Sequence, residues 1–289
     1  MFIIEAIAFT FFGACIGSFL NVCIFRLPRN QSIITPGSFC RNCKTPIKWH
    51  DNIPMFSYIF LKGRCRNCKE RISIRYPFVE LITAVLFLAL YLKFGFSIEL
   101  VKYCFLFSLL IMVSFIDIDY HAIPAHLCFL GIVFGLAISV FSSLELLKTG
   151  GFEPKTLPIV RSGIGLLFGF GFTYMFKFFG DIGIDIYLKL RKKESIEGET
   201  ESLGLGDVDF MGMVGVYLGV PSALVWGPVV SVLLVFFLAP FFAMVYSVIA
   251  LIFKKSHLIP YLPYLSLATL AVFFWGEEIL KFVSRLILI

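Results

Sequence analysis

Eight apolar runs divide this chain, at residues 2–25, 77–94, 100–118, 124–142, 159–179, 207–219, 223–253 and 258–275. A helix needs about 20 apolar residues to cross the hydrocarbon core of a bilayer. Inside lipid the backbone must satisfy its own N–H and C=O groups, which leaves helices as the solution for runs of this kind. The expected fold class is an all-α polytopic membrane protein with about eight transmembrane helices. Composition agrees, since 59% of residues are hydrophobic and only 15% are charged, against roughly a quarter charged in soluble domains.

Residues 26–75 break the pattern. Eleven Lys and Arg stand there against Asp51 and Glu70, so by the positive-inside rule this loop is cytoplasmic and the amino terminus lies outside. Parity then puts 117–124, 180–206 and 254–257 on the cytoplasmic side, where Lys189, Arg191, Lys192, Lys193, Lys254 and Lys255 agree with it. Residues 143–158 read as an outer loop, 192–202 as a solvated, mobile connector, and 276–289 as a tail along the outer surface. Met1 to Leu20 carries one charge, Glu5, and no basic leader, so the first run is read as a retained helix. The net charge of +6 orients the loops, and no nucleic-acid partner is expected.

Four cysteines fall in the basic loop as Cys40-x-x-Cys43 and Cys65-x-x-Cys68, with 21 residues between the pairs. Two thiolates from each pair complete a tetrahedral zinc site. Arg41-Asn42 and Arg66-Asn67 fill the two knuckles, so the halves resemble one another. Disulfides are the weaker alternative in a reducing compartment. Cys15, Cys23, Cys104 and Cys128 read as small buried residues of the apolar runs.

Acids at the ends of apolar runs are the second anomaly, because a charge at a span is costly and usually has a function. Leu203-Gly-Leu-Gly-Asp-Val-Asp-Phe210 opens one run, and Ser114-Phe-Ile-Asp-Ile-Asp-Tyr-His-Ala-Ile-Pro124 closes another. Parity sets Asp117 and Asp207 at one membrane face although 90 residues separate them. Two carboxyl groups brought within a few Å share a proton and act as acid and base at once, which is the chemistry of water attack on a peptide carbonyl. The plainer reading of Asp207 is a charge at a helix entry. Asp117 and Asp119 project about 200° apart on a helix, one inward and one to water. Asp119 and Asp209 are expected as exposed cap residues, Arg75 near Glu80, and His121 in solvent. No phosphate-binding glycine loop, metalloprotease helix or serine-nucleophile motif is present.

These residues resemble the type IV prepilin peptidases, or leader peptidases, of bacterial pilus and type II secretion systems. The resemblance runs through Gly17-Ser-Phe-Leu-Asn-Val-Cys-Ile-Phe-Arg-Leu-Pro28, both cysteine knuckles, Asp51-Asn-Ile-Pro-Met-Phe-Ser57, and Ile72-Ser-Ile-Arg-Tyr-Pro-Phe-Val-Glu80. It continues through the Asp117 cluster, Gly204-Leu-Gly-Asp207, and Ile259-Pro-Tyr-Leu-Pro-Tyr-Leu265. It implies that Asp117 and Asp207 are catalytic aspartates, and that the leader of prepilins and pseudopilins is cut after a glycine at the cytoplasmic face of the inner membrane. It implies also N-methylation of the new amino terminus with S-adenosylmethionine, for which no residue pattern marks a pocket. The division it suggests is a first transmembrane helix (1–27), a cytoplasmic four-cysteine zinc loop domain (28–76) and a membrane-embedded aspartic peptidase domain (77–289). Two positions depart from the family: Asp209 stands where it usually has lysine, and Ala125 where it often has Asp or Asn. A proton-coupled or ion-conducting protein, and a noncatalytic zinc-loop scaffold, are the competing functions.

Overall fold

The computed structural model describes residues 2–121, 124–149, 156–191, 201–218, 227–252 and 260–287. They form helices joined by loops, with two isolated β-bridges and no strand among the described residues. The chain separates into two units, Met1–His121 and Ala122–Ile289.

The first unit holds α1 (Phe2–Arg26), the short α2 (Phe56–Phe60), α3 (Arg75–Phe94) and α4 (Ile98–Tyr120). Glycine lets α1 lie against α3: a Cβ on Gly17 would sit 2.7 Å from Glu80 Cα. Asn21 adds a polar tie, donating to the Tyr76 carbonyl at 3.1 Å. Ser97 caps α4 by accepting from the Leu100 amide. The last turn of α4 ends in left-handed His121, which is exposed and whose N–H bonds to the Asp117 carbonyl.

The second unit holds α5 (Ala125–Thr149), α6 (Pro158–Arg191), α7 (Leu205–Leu218), α8 (Gly227–Ile252) and α9 (Leu262–Ile287). Backbones of α6 and α7 touch, because a Cβ on Gly165 would fall on the Gly215 carbonyl oxygen and one on Gly169 on that of Met211. Such small-residue contacts are how helices associate closely in lipid. Ser162 donates to the Val216 carbonyl and lies 2.8 Å from the Ser139 hydroxyl, so one side chain ties α5, α6 and α7.

Among the described residues six helices are long and apolar enough to cross a membrane: α1, α3, α4, α5, α6 and α8. The other two expected spans fall short on that criterion. Helix α7 has 14 described residues, about 21 Å of rise, and α9 carries Glu277, Glu278, Lys281 and Arg285 beyond its bend at Trp275.

The outer-loop reading of 143–158 needs correction, and two further stretches given no secondary structure above are helical. Helix α6 does not stop near residue 179 but runs 34 residues to Arg191, about 51 Å at helical rise. That exceeds the hydrocarbon thickness, so its charged end resembles a loop in sequence while remaining helical. Helix α5 likewise runs to Thr149, and the tail is helical to Ile287. Of the 192–202 connector, 192–200 lies outside the described residues, while Glu201 and Ser202 are pinned to α6.

Candidate metal centre and candidate active-site carboxylates

The two knuckles fold as near copies. Cys40 N–H bonds to the Thr45 carbonyl and Lys44 N–H to the Cys40 carbonyl; Cys65 with Glu70 and Lys69 with Cys65 repeat both bonds. Each turn closes on a lysine with positive φ, Lys44 at 58° and Lys69 at 59°. Bridges Phe39–Pro46 and Arg64–Arg71 seal the bases of the two turns.

This pairing gathers four sulfur atoms within 4.8 Å of one another, with Cys40–Cys68 at 3.8 Å and Cys43–Cys65 at 4.0 Å. A tetrahedron with zinc–sulfur bonds of about 2.3 Å has edges of about 3.8 Å, so the cluster can hold a metal ion of that size. All four thiols are free. The knuckles also exchange contacts: Asn42 Nδ2 donates to Cys68 Sγ at 3.8 Å and Asn67 Nδ2 to Cys43 Sγ at 3.7 Å. Hydrogen bonds with the Thr45 side chain and backbone hold the Cys43 thiol down, at about 5. The backbone N–H groups of Cys68 and Asn67 lower Cys65 in the same way. Three of the remaining cysteines are buried, and Cys15 is partly so.

The two knuckle arginines have different tasks. Arg41 stacks over Phe25 at 3.7 Å, near the end of α1. Arg66 forms a two-pronged pair with Asp51, at 2.7 and 2.6 Å, and the Asp51 carboxyl is held below its usual range chiefly by that bond.

Asp117, in the last turn of α4, is buried. Asp119 is exposed and pairs with Arg75 at 2.6 Å; Arg75 also donates to the Phe115 carbonyl at 3.1 Å. The inward–outward split expected for the two acids therefore holds. An acid at a helix C-terminus opposes the macrodipole, and Arg75 offsets it. The expected approach of Arg75 to Glu80 does not occur, because five residues on a helix turn side chains about 140° apart. Glu80 is buried and instead accepts from the amide of Met55, a residue with φ of 59°.

Asp207 is in the first turn of α7 and buried. Its Oδ2 accepts from the Gly204 amide at 3.1 Å, the reach-back half of a capping box. The helix-entry role considered for Asp207 is thus real. Asp209 is no cap: it is half-buried inside α7, and the capping contact belongs to Asp207.

Sequence reasoning missed a cluster just before this turn. Lys177 of α6 is buried and bonds Glu201 at 2.6 Å, the Leu203 carbonyl at 2.8 Å and Asp181 at 3.0 Å. Asp181 accepts from the Ser202 amide and lies at bonding distance from its hydroxyl, both at 2.7 Å. A lone lysine inside the apolar run 159–179 was the available signal. The four cysteines are brought together; Asp117 belongs to the first unit and Asp207 to the second.

Residues 11–94 match the Bacterial Peptidase A24 N-terminal domain, which includes the cysteine cluster. Residues 104–248, which include Asp117 and Asp207, match the Type IV leader peptidase family. The prepilin leader peptidase/N-methyltransferase of Myxococcus xanthus is 34% identical over 206 residues, 71% of this chain and 54% of that protein. The protein of the same name from Bacillus subtilis is 27% identical over 280 residues, 96% of this chain and 97% of its own length. A type 4 prepilin-like proteins leader peptide-processing enzyme of Escherichia coli is 32% identical over 225 residues, 72% of this chain and 74% of its own. No solved structure matches the chain.

Proposed function

Because the chain belongs to the type IV leader peptidase family, we propose that this membrane peptidase cuts the basic leader from prepilins and pseudopilins, with Asp117 and Asp207 as its catalytic pair. One observation carries the choice of residues. Among the described acids of the family-matched stretch 104–248, these two are the buried ones, 7% and 8% exposed.

In this reading one carboxyl group works ionised and the other protonated. The ionised member takes a proton from water as its oxygen attacks the scissile carbonyl. The protonated member donates to the carbonyl oxygen; the carboxyl that took the water's proton then passes it to the leaving nitrogen, and collapse of the tetrahedral intermediate breaks the C–N bond to give the leader's new carboxylate and a free amine. That amine is the acceptor for the N-methylation stated in the relatives' names, for which S-adenosylmethionine supplies the methyl group. The cysteine cluster holds structural zinc, whose four thiolate bonds fix a loop with little core of its own. We read the chain in three parts, a first helix (1–27), the zinc loop (28–76) and the peptidase (77–289). It lies in the bacterial inner membrane with the amino terminus outside and the zinc loop cytoplasmic, which keeps a basic leader on the side of the basic loop. Family membership disfavours an ion-conducting protein or a noncatalytic scaffold.

The test is the full-length protein in lipid with a prepilin, followed by mass measurement of the product's amino terminus. A shortened chain beginning after the glycine and one methyl group heavier is expected. Asp117→Asn and Asp207→Asn should each abolish cleavage; normal cutting by both would overturn the assignment.

A further inference from the structure

One peptide group, Leu203–Gly204, is held from both sides by side chains. Its carbonyl accepts from Lys177 at 2.8 Å, and its amide donates to Asp207 Oδ2 at 3.1 Å. A trans peptide is planar, with its C=O and N–H pointing in opposite directions. Pinning the carbonyl therefore fixes where the Gly204 amide points, and with it the oxygen of Asp207 that the amide binds. We infer that Lys177 is a positioning residue for Asp207, acting through the Leu203–Gly204 peptide group. The inference rests on Asp207 being catalytic.

The surroundings fit that task. An ammonium on an apolar helix is costly unless it is used, and the three donors of Lys177 have three partners: Glu201, Leu203 and Asp181. Ser202 is tied to Asp181 by its amide, so three consecutive residues before Gly204 are fastened to α6. A carbonyl that accepts from a cation is polarised, which makes the amide on the same group a better donor. Glu201 differs from the Leu203 contact in kind: it is 62% exposed and its bond anchors only a side chain.

The experiment uses full-length protein with a prepilin, reading kcat and KM separately. Lys177→Met should lower kcat about 10- to 100-fold, the scale of a misplaced catalytic group, with KM within about twofold. Lys177→Arg, which keeps charge and donors, should recover kcat to within about fivefold. Glu201→Gln leaves the Leu203 bond in place and should stay within about threefold of the parent. If it loses as much as Lys177→Met, the cluster is a plain tether and the inference is wrong. A normal kcat for Lys177→Met also overturns it. Should Lys177→Met fail to accumulate, Lys177→Arg and Glu201→Gln decide, since a kcat loss beyond about tenfold in both refutes the positioning role. Cleavage by Asp207→Asn would instead remove the premise, whatever Lys177 does.

Discussion

Asp207 Oδ2 accepts from the Gly204 amide at 3.1 Å, so the proposed catalytic carboxylate also closes the helix it opens. The two roles separate by substitution. Asparagine retains an oxygen that can accept from Gly204, whereas alanine does not. Asp207→Asn should lose cleavage while its thermal unfolding in detergent stays close to the parent. Asp207→Ala should lose cleavage and about 1 kcal/mol of stability as well, the usual worth of a helix cap. Equal destabilisation of both variants would count against the capping role.

Asn42 and Asn67 cross between the knuckles to Cys68 and Cys43. Partners outside the ligand set orient thiolates, and their loss typically lowers metal affinity 10- to 100-fold. Asn67→Ala and Asn42→Ala should each weaken zinc by about tenfold in a chelator competition. The parent should hold about one equivalent, lost when Cys40 and Cys65 are both serine. Unchanged affinity in both asparagine variants would reduce those contacts to bystanders.

Metal retention should also depend on pH in a directed way. Zinc binds the thiolate, so protons compete with it as pH falls. The Thr45 hydroxyl, 3.3 Å from Cys43 Sγ, helps hold that thiol below its ordinary range, which favours the thiolate. Thr45→Val removes this support, raises the Cys43 thiol, and should move the midpoint of zinc release to higher pH. Superimposable release curves for the two proteins would show that Thr45 does not set the response.

What the sequence revealed follows from how local each relationship is. The cysteine cluster was legible because both knuckles carry their spacing within four residues and share the same Arg-Asn filling. Asp117 and Asp119 were legible through the helical angle, which makes one buried and one exposed. The same angle rules out Arg75 beside Glu80. Lys177 and Glu201 are 24 residues apart, and nothing in their spacing joins them. The far end of α6 reads as loop because Asp181, Asp185, Lys189 and Arg191 look solvated. Asp185, Lys189 and Arg191 are exposed and Asp181 is tied to Lys177 and Ser202, all on a helix that outruns the apolar run 159–179, and periodicity of apolar residues does not report where such a helix stops.

The contact between α6 and α7 gives the last prediction, and it concerns what holds the Asp207 turn in place. A Cβ on Gly165 would collide with the Gly215 carbonyl, a backbone atom that cannot swing aside, while one on Gly163 meets nothing within 4 Å. Both glycines lie on α6, so their helix propensities cancel in a comparison. Gly165→Ala should force the two helices apart, destabilise the protein by about 1–3 kcal/mol, and lower peptidase activity by displacing the start of α7. Gly163→Ala should be neutral or gain a few tenths of a kcal/mol from reduced backbone freedom. Thermal unfolding and cleavage measured side by side decide the matter. If Gly165→Ala unfolds and cuts like Gly163→Ala, the helices are not in backbone contact, and the packing proposed to support Asp207 is absent.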